Sequence, residues 1–319
     1  MLDVFFTVDV EIWCDGWQDI DRKFQGAFKK YIYGSTPAGD FGIPYKLKVL
    51  NEHGLQGVFF VEPLFSARFG KEPLAEIVGM LDAGGQEVQL HLHTEWVDEA
   101  RKPLLEDVSG KRQHLRYFST ADQTALIEIG LEMLEEAGAV NTNAFRAGSF
   151  AFNRDTLRAL AANGVSFDSS YNATMFGLDS GVMPGVTVVE PVECEGVREY
   201  PMSVFRDGRG LRHAQLTACS YGEMEHLLWQ AVEADRKSFV ILSHSSELLN
   251  ANMDRADNMV TGRFRKLCAF LDKNRDVFRV RGFKGLEPKL AKQQPEPLTS
   301  PIWRTGGRML EQAYRMVYR

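Results

Sequence analysis

Short apolar runs that each stop on polar, ionisable residues set the firmest limit on how this chain can fold. Val4 to Val10 is rich in β-branched and aromatic residues, and similar runs recur at Gly57 to Val61, Glu87 to Leu92, Ser238 to Leu242 and Val277 to Val280. Runs of this length and composition predict buried strands. Helical stretches with marked ends lie between them. Thr120 and Gln123 form a capping box ahead of Leu126, Ile129, Met133 and Ala137, which share one helix face. Ser220 and Glu223 repeat the device ahead of Met224, Leu227, Leu228 and Ala231. Asn153 caps a helix carrying Leu157, Leu160 and Ala161, which Gly164 stops at a left-handed position. Strand and helix alternate, so a parallel α/β architecture is expected, with chemistry at the carboxyl ends of the strands.

Composition removes several alternatives. The 319 residues are 44% hydrophobic and 25% charged, enough apolar material for a core and too much for disorder. Lys and Arg number 37 against 43 Asp and Glu, a net charge of −6, so no global positive field recruits nucleic acid. The opening MLDVFFTVDVE has no basic segment before its apolar run and reads as a strand rather than a signal peptide. No apolar run reaches the ~18 residues of a membrane span. Cys14, Cys194, Cys219 and Cys268 are scattered without a CxxC pair, which predicts free thiols in a reducing cytoplasm.

Three stretches fall outside the alternation. Val97 to Ser119 is polar and long for a connection, and is expected to loop over a site. Val186 to Tyr200 reads as an antiparallel excursion. After Gly285 come Pro288, Pro295, Pro297 and Pro301, so residues 1–285 are expected to form the folded unit and 286–319 a Pro-containing linker followed by a basic amphipathic segment. That segment, 302–319, carries Arg304, Arg308, Arg315 and Arg319 among Trp303, Met309, Leu310, Tyr314, Met316 and Val317. It reads either as a contact for a membrane surface or another subunit, or as a terminal helix docked on its own chain.

The candidate chemistry lies where the predicted strands end. Asp9 and Glu11 sit at i and i+2, on one face of a strand terminus, where two carboxylates repel unless a cation or a proton lies between them. His91 and His93 point to one side if their strand continues, offering two imidazole nitrogens to a divalent metal. With Glu11 they complete a two-histidine, one-carboxylate set with open positions for water and substrate. His244 follows the apolar run Phe239 to Leu242, placed for acid or base work. Arg146 and Asp168 also follow strand-like runs; taken singly, the first suits a salt bridge and the second a turn.

The order of these motifs resembles the polysaccharide deacetylase superfamily (NodB-homology, carbohydrate esterase family four) over residues 2–285, in the variants of bacterial surface-polysaccharide biosynthesis, including lipopolysaccharide. Thr7-Val-Asp9-Val-Glu11 is similar to the first family motif, Gly85-Gln-Glu-Val-Gln-Leu-His91 to the run before the metal histidines, and Phe145-Arg146, Phe167-Asp168-Ser-Ser-Tyr171 and Leu242-Ser-His244 follow in family order. The resemblance implies a single distorted (β/α) barrel that hydrolyses N-acetyl groups from amino sugars. The implied cofactor is a divalent metal, zinc before cobalt, nickel or manganese. It implies Asp9 as general base, Glu11 and His91 as metal ligands, His244 as general acid, Arg146 holding Asp9, and Asp168 tuning His244. The expected substrate is an N-acetylated sugar intermediate in the cytoplasm, with the enzyme soluble or peripheral to the inner membrane face.

The chain departs from the family pattern in three places. The second acid, Glu11, stands one position later and is one methylene longer, and the extra reach is expected to restore its carboxylate to the metal. The second metal histidine normally lies four residues after the first, where this chain has Glu95; His93 is preferred as the ligand, with Glu95 as its rival. The third motif lacks the usual proline and aromatic. Three other readings stand beside the deacetylase: an amidohydrolase-type metallohydrolase, whose His-x-His pair falls on the first barrel strand, a metal-independent C–N hydrolase of the same superfamily, and a non-catalytic carbohydrate-binding relative.

Overall fold

The computed structural model describes residues 1–106 and 110–317. The chain forms two compact units, one of Met1–Gly57, Ser203–Arg281 and the stretch from Glu296 on, the other of Val58–Met202 and Gly282–Pro295.

In the first unit the opening strand, Leu2–Val10, is buried over its whole length, as its apolar composition requires. Ser238–His244 and Phe278–Val280 both run parallel to it, and the register sets Asp9 opposite His244. Helices Ile43–Glu52, Tyr221–Glu233 and Asn258–Lys273 belong to the same unit. Phe264 of the last stacks on Phe6 at 5.4 Å between ring centroids. Ser220 caps Tyr221–Glu233 in the predicted box with Glu223. A small separate sheet joins Gly210–His213, Val204–Asp207 and Leu298–Thr299.

In the second unit the strands Val58–Val61, Glu87–Leu92, Ala144–Ala147, Phe167–Asp168 and Val197–Glu199 pair in that order, all parallel. Val192–Cys194 turns back antiparallel on Val197–Glu199, the expected excursion. Helices Glu72–Ala83, Thr120–Glu136 and Arg154–Ala162 form the crossovers. Asn153 caps the last in a box with Thr156, and Gly164 takes the left-handed conformation that ends it. Helix Thr120–Glu136 starts one residue earlier than its sequence suggests. Ser119 is extended and accepts the Asp122 amide at 3.1 Å, so Thr120 is already helical.

The expected linker, from residue 286, is held at several points, Ala291 among them through its amide on the Pro191 carbonyl at 2.9 Å, and the segment just ahead of it is anchored too. Phe283 packs among Phe60, Phe167 and Tyr200, while its amide and that of Lys284 donate to the buried Glu87 carboxylate. Gln294 Oε1 accepts the amides of Val189 and Glu190, and Leu298–Thr299 is a strand. Prolines here fix extended backbone that other groups then dock, rather than leaving a spacer. Helix Ile302–Val317 turns its cations inward. Arg308 is buried against Asp207, Arg315 pairs with Asp257 at 2.7 Å, Arg304 donates to the Gly222 carbonyl, and Arg263 reaches Glu311 at 2.5 Å. Ile302, Trp303 and Leu310 face outward and are exposed. Among the described residues no helix is long and apolar enough to cross a membrane.

Candidate active site

Every candidate residue lies at or just beyond the carboxyl end of a parallel strand, where side chains leave the sheet and backbone groups run out of partners. In the first unit, Asp9 ends the opening strand and is buried, while Glu11 lies just past it and is half-buried. The Ser245 amide donates to the Asp9 carbonyl at 2.9 Å, locking the two strand ends together. Trp13 Nε1–H donates to Glu11 Oε2 at 2.8 Å and orients that carboxylate. Donor atoms of Asp9, Glu11 and His244 all lie within 4.8 Å of one another, so two acids and an imidazole converge.

His244 has a carboxylate partner that the sequence reading did not name. Its Nδ1 stands 3.4 Å from Oε1 of Glu247, one turn further along the chain. Glu247 is held in turn by Thr217 Oγ1–H at 2.9 Å and by the Gln215 side-chain amide, whose oxygen accepts from His213 Nε2 at 3.1 Å. Burial alone would disfavour a charged His244. The hydrogen bond and charge of Glu247, with the charges of Glu11 and Asp9, outweigh it and raise the imidazole to about 9. Burial likewise opposes ionisation of Glu247, but His244 and the buried Lys46 pull its carboxyl down to about 2. At neutral pH His244 is therefore an imidazolium whose Nδ1 proton is committed to Glu247, leaving the Nε2 proton as the one it can deliver.

In the second unit, His91 and His93 project to the same side, their rings edge to face with centroids 4.8 Å apart. His91 Nδ1 meets the Arg146 carbonyl at 2.7 Å, and a carbonyl only accepts, so the ring proton is on Nδ1. His93 Nδ1 meets Glu95 Oε2 at 3.3 Å with the same consequence. With Nδ1 donating, a neutral ring carries its lone pair on Nε2, the nitrogen it would offer a metal. Glu95, the rival ligand, is engaged in orienting His93. Gly148 is needed for that placement: a Cβ there would stand 2.7 Å from the Leu92 carbonyl and 2.8 Å from His93 Nδ1. Burial raises the nearby Glu62 carboxyl to about 8 despite the Leu64 and Phe65 amides it accepts, so it is neutral at neutral pH.

Arg146 is fully buried, donating from Nε to the Ser169 carbonyl and from Nη2 to Ser169 Oγ, both at 3.0 Å, with its guanidinium 4.3 Å over the Phe60 ring. Asp168 is also fully buried and accepts from Ser170 Oγ–H at 2.6 Å. Its acidic partner is Glu199. Burial raises both carboxyls, and each keeps one oxygen that no donor reaches, the signature of a proton held between them. The carboxylate on His244 is Glu247, whereas Asp168 is turned to Glu199. The loop Val97 to Ser119 begins as the turn Thr94–Glu99, tied by Lys111 Nζ to the Glu95 carbonyl and by Thr94 Oγ1 to the Arg112 carbonyl; its part at 107–109 lies outside the described residues.

A Mycobacterium smegmatis crystal structure, provisionally named a polysaccharide deacetylase, superposes with a TM-score of 0.55 at 21% identity, covering 92% of this chain and 94% of that one. The chain has the polysaccharide deacetylase fold, a mixed α/β (β/α) barrel. A family 4 carbohydrate esterase from Streptomyces lividans in complex with acetate aligns over 87% of this chain and 89% of its own, at 11% identity and a TM-score of 0.43. A pseudoenzyme of the same esterase family from Bacillus anthracis aligns over 86% and 62%, at 12% and 0.42. No protein-family model and no curated protein matches the sequence.

Proposed function

We propose that the protein belongs to the polysaccharide deacetylase superfamily and is a metal-dependent hydrolase that removes an N-acetyl group from an amino sugar of surface-polysaccharide biosynthesis. The observation that carries this reading is the pair His91 and His93, both buried with Nδ1 held by an acceptor, which leaves Nε2 as the nitrogen that would ligate. Those two nitrogens and the Trp13-oriented Glu11 suit a divalent cation, zinc before cobalt, nickel or manganese. When bound, such a cation polarises the amide carbonyl and lowers the pKa of water towards ~7.

The chain's own residues do the proton work. Asp9 accepts the proton of the attacking water, and Arg146 positions its carboxylate. His244, already an imidazolium, gives its Nε2 proton to the sugar nitrogen, which is a poor leaving group until protonated. Glu247, rather than Asp168, keeps that imidazolium charged and aimed. Four free cysteines support a reducing compartment, and the outward Ile302, Trp303 and Leu310 support a contact of the C-terminal helix with the inner membrane face or a second subunit.

The test pairs metal analysis of the purified protein with acetate release from a panel of N-acetylated sugars. One equivalent of metal, loss of activity on chelation and its loss in His93→Ala support the proposal. Activity that survives chelation points to the metal-independent hydrolase instead. Bound metal with no acetate from any sugar points to the binding protein.

A further inference from the structure

The second unit holds a cleft of about 490 Å³ that the hydrolytic machinery does not use. One wall is the turn Ser66 to Gly70, which follows the strand Val58–Val61; the other is Arg101 to Leu104, which follows the turn carrying Glu95. The walls are fastened to each other. The Arg101 amide donates to the Ala67 carbonyl at 3.2 Å, and Arg68 Nη1 donates to the Glu99 carbonyl at 3.1 Å while its guanidinium faces the Glu99 carboxylate at 3.6 Å. Arg68 is thereby neutralised. Arg101 and Lys102 are exposed and make no ion pair among the described residues. Two cations without an ion pair among the described residues therefore line one cleft of a chain whose net charge is −6. The rest of the lining is apolar, with Phe69, Leu104 and Met133, and Phe69 is braced edge-on by Trp96 at 6.1 Å.

We propose that this cleft binds a phosphate-bearing group, so that the amino sugar reaches the active site attached through phosphate to a carrier with an apolar or aromatic portion. The charge matches a diphosphate link: a phosphate that joins two groups is a diester of about −1 and a diphosphate link about −2, and Arg101 with Lys102 supplies two positive charges. A volume of about 490 Å³ lies within the range of small-molecule sites. The apolar side accommodates either a nucleotide base or a prenyl chain. The cleft walls belong to segments that follow the strands Val58–Val61 and Glu87–Leu92, the second of which carries His91. The inference names a substrate class for the proposed deacetylase and rests on that reading only for the link to turnover.

Calorimetric titration of the full-length protein decides it, using inorganic pyrophosphate first, then a nucleoside diphosphate and a short prenyl phosphate. The expected result is saturable pyrophosphate binding that weakens by about tenfold or more in Arg101→Ala/Lys102→Ala, and further in Arg101→Glu/Lys102→Glu, with the circular dichroism of each variant unchanged. Tighter binding of the nucleotide than of pyrophosphate assigns the apolar side to a base, and tighter binding of the prenyl phosphate assigns it to a lipid. No binding of pyrophosphate, or equal binding by wild type and the double variant, overturns the proposal. In turnover the alanine pair raises KM for a phosphate-linked sugar about tenfold and leaves kcat, and the KM of the free sugar, unchanged. If no sugar is deacetylated, the hydrolase reading falls while the pyrophosphate titration still decides this one.

Discussion

At the level of single side chains, the distribution of protons carries most of the chemistry. His244 is held charged to about 9 by a carboxylate it meets one turn later, so the basic limb of kcat/KM is expected near that value, and Glu247→Gln should move it down towards the ordinary 6.5. A pH–rate profile of both proteins checks this. The same ion pair links to stability. His244 has a raised folded value, so its contribution is complete below about pH 6.5 and disappears as pH climbs through about 9. Glu247 has a depressed value, so its contribution is present above 4.5 and is lost only as pH falls through about 2. Urea denaturation across pH should show wild type and Glu247→Gln converging at both extremes and diverging between them. Asp9→Asn is expected to lower kcat by ~10²–10⁴ with little change in KM or metal content. Glu95→Ala should weaken metal affinity by ~10–100-fold through the loosened His93 ring, read by competition with a chelating dye. The strand-end placement of Asp9, Glu11, His91, His93 and His244 was legible in the sequence because each follows an apolar run. Glu247 and Glu199 were not. The first is brought to its histidine by a turn whose geometry Ser-Ser-Glu does not specify. The second acts through a cross-strand partnership with Asp168 that only the Phe167↔Arg198 register creates.

At the level of elements, strand runs and caps were readable because their signals are local. Glu87–Leu92 was placed to the residue, and Asn153 and Ser220 cap as their side chains dictate. Helix Thr120–Glu136 was misplaced by one because Ser119 and Thr120 are both good caps and only backbone conformation chooses. Removing the chosen cap in Ser119→Ala should cost ~1 kcal/mol, against a few tenths for Thr120→Ala, measured by urea denaturation. Gly148 is a sharper case. A methyl group at this position collides with the strand-end carbonyl of Leu92 and with the His93 ring, and neither can retreat without leaving its hydrogen bonds. Gly148→Ala should therefore displace His93 and cost metal binding out of proportion to any loss of fold, seen as reduced metal content in protein with unaltered circular dichroism.

At the level of the whole chain, the largest difference from the sequence expectation is that the described residues after Gly285 are docked at Ala291, Gln294, Leu298–Thr299 and along helix Ile302–Val317. Prolines and scattered arginines read as a linker and a basic surface because composition does not reveal the acids waiting elsewhere. Asp207, Glu223 and Asp257 receive Arg308 and Arg315, and the helix buries its charges while exposing Trp303 and Leu310. Arg308→Ala should destabilise the protein by ~1–3 kcal/mol, since it removes a buried cation shared by Asp207 and Glu223 and leaves Asp207 with Arg212 at 3.7 Å, whereas Leu310→Ser should change little. Equilibrium unfolding of the two variants separates a docked helix from a loose one.

Leu2–Val10 finds a flanking partner in Ser238–His244, more than two hundred positions later. During synthesis at ~5–20 residues per second, that intensely greasy ribbon stays without this neighbour for tens of seconds after leaving the ribosome. Ribosome-associated chaperones therefore have a defined client segment here, and slow, concentration-sensitive refolding in the test tube follows from the same long wait.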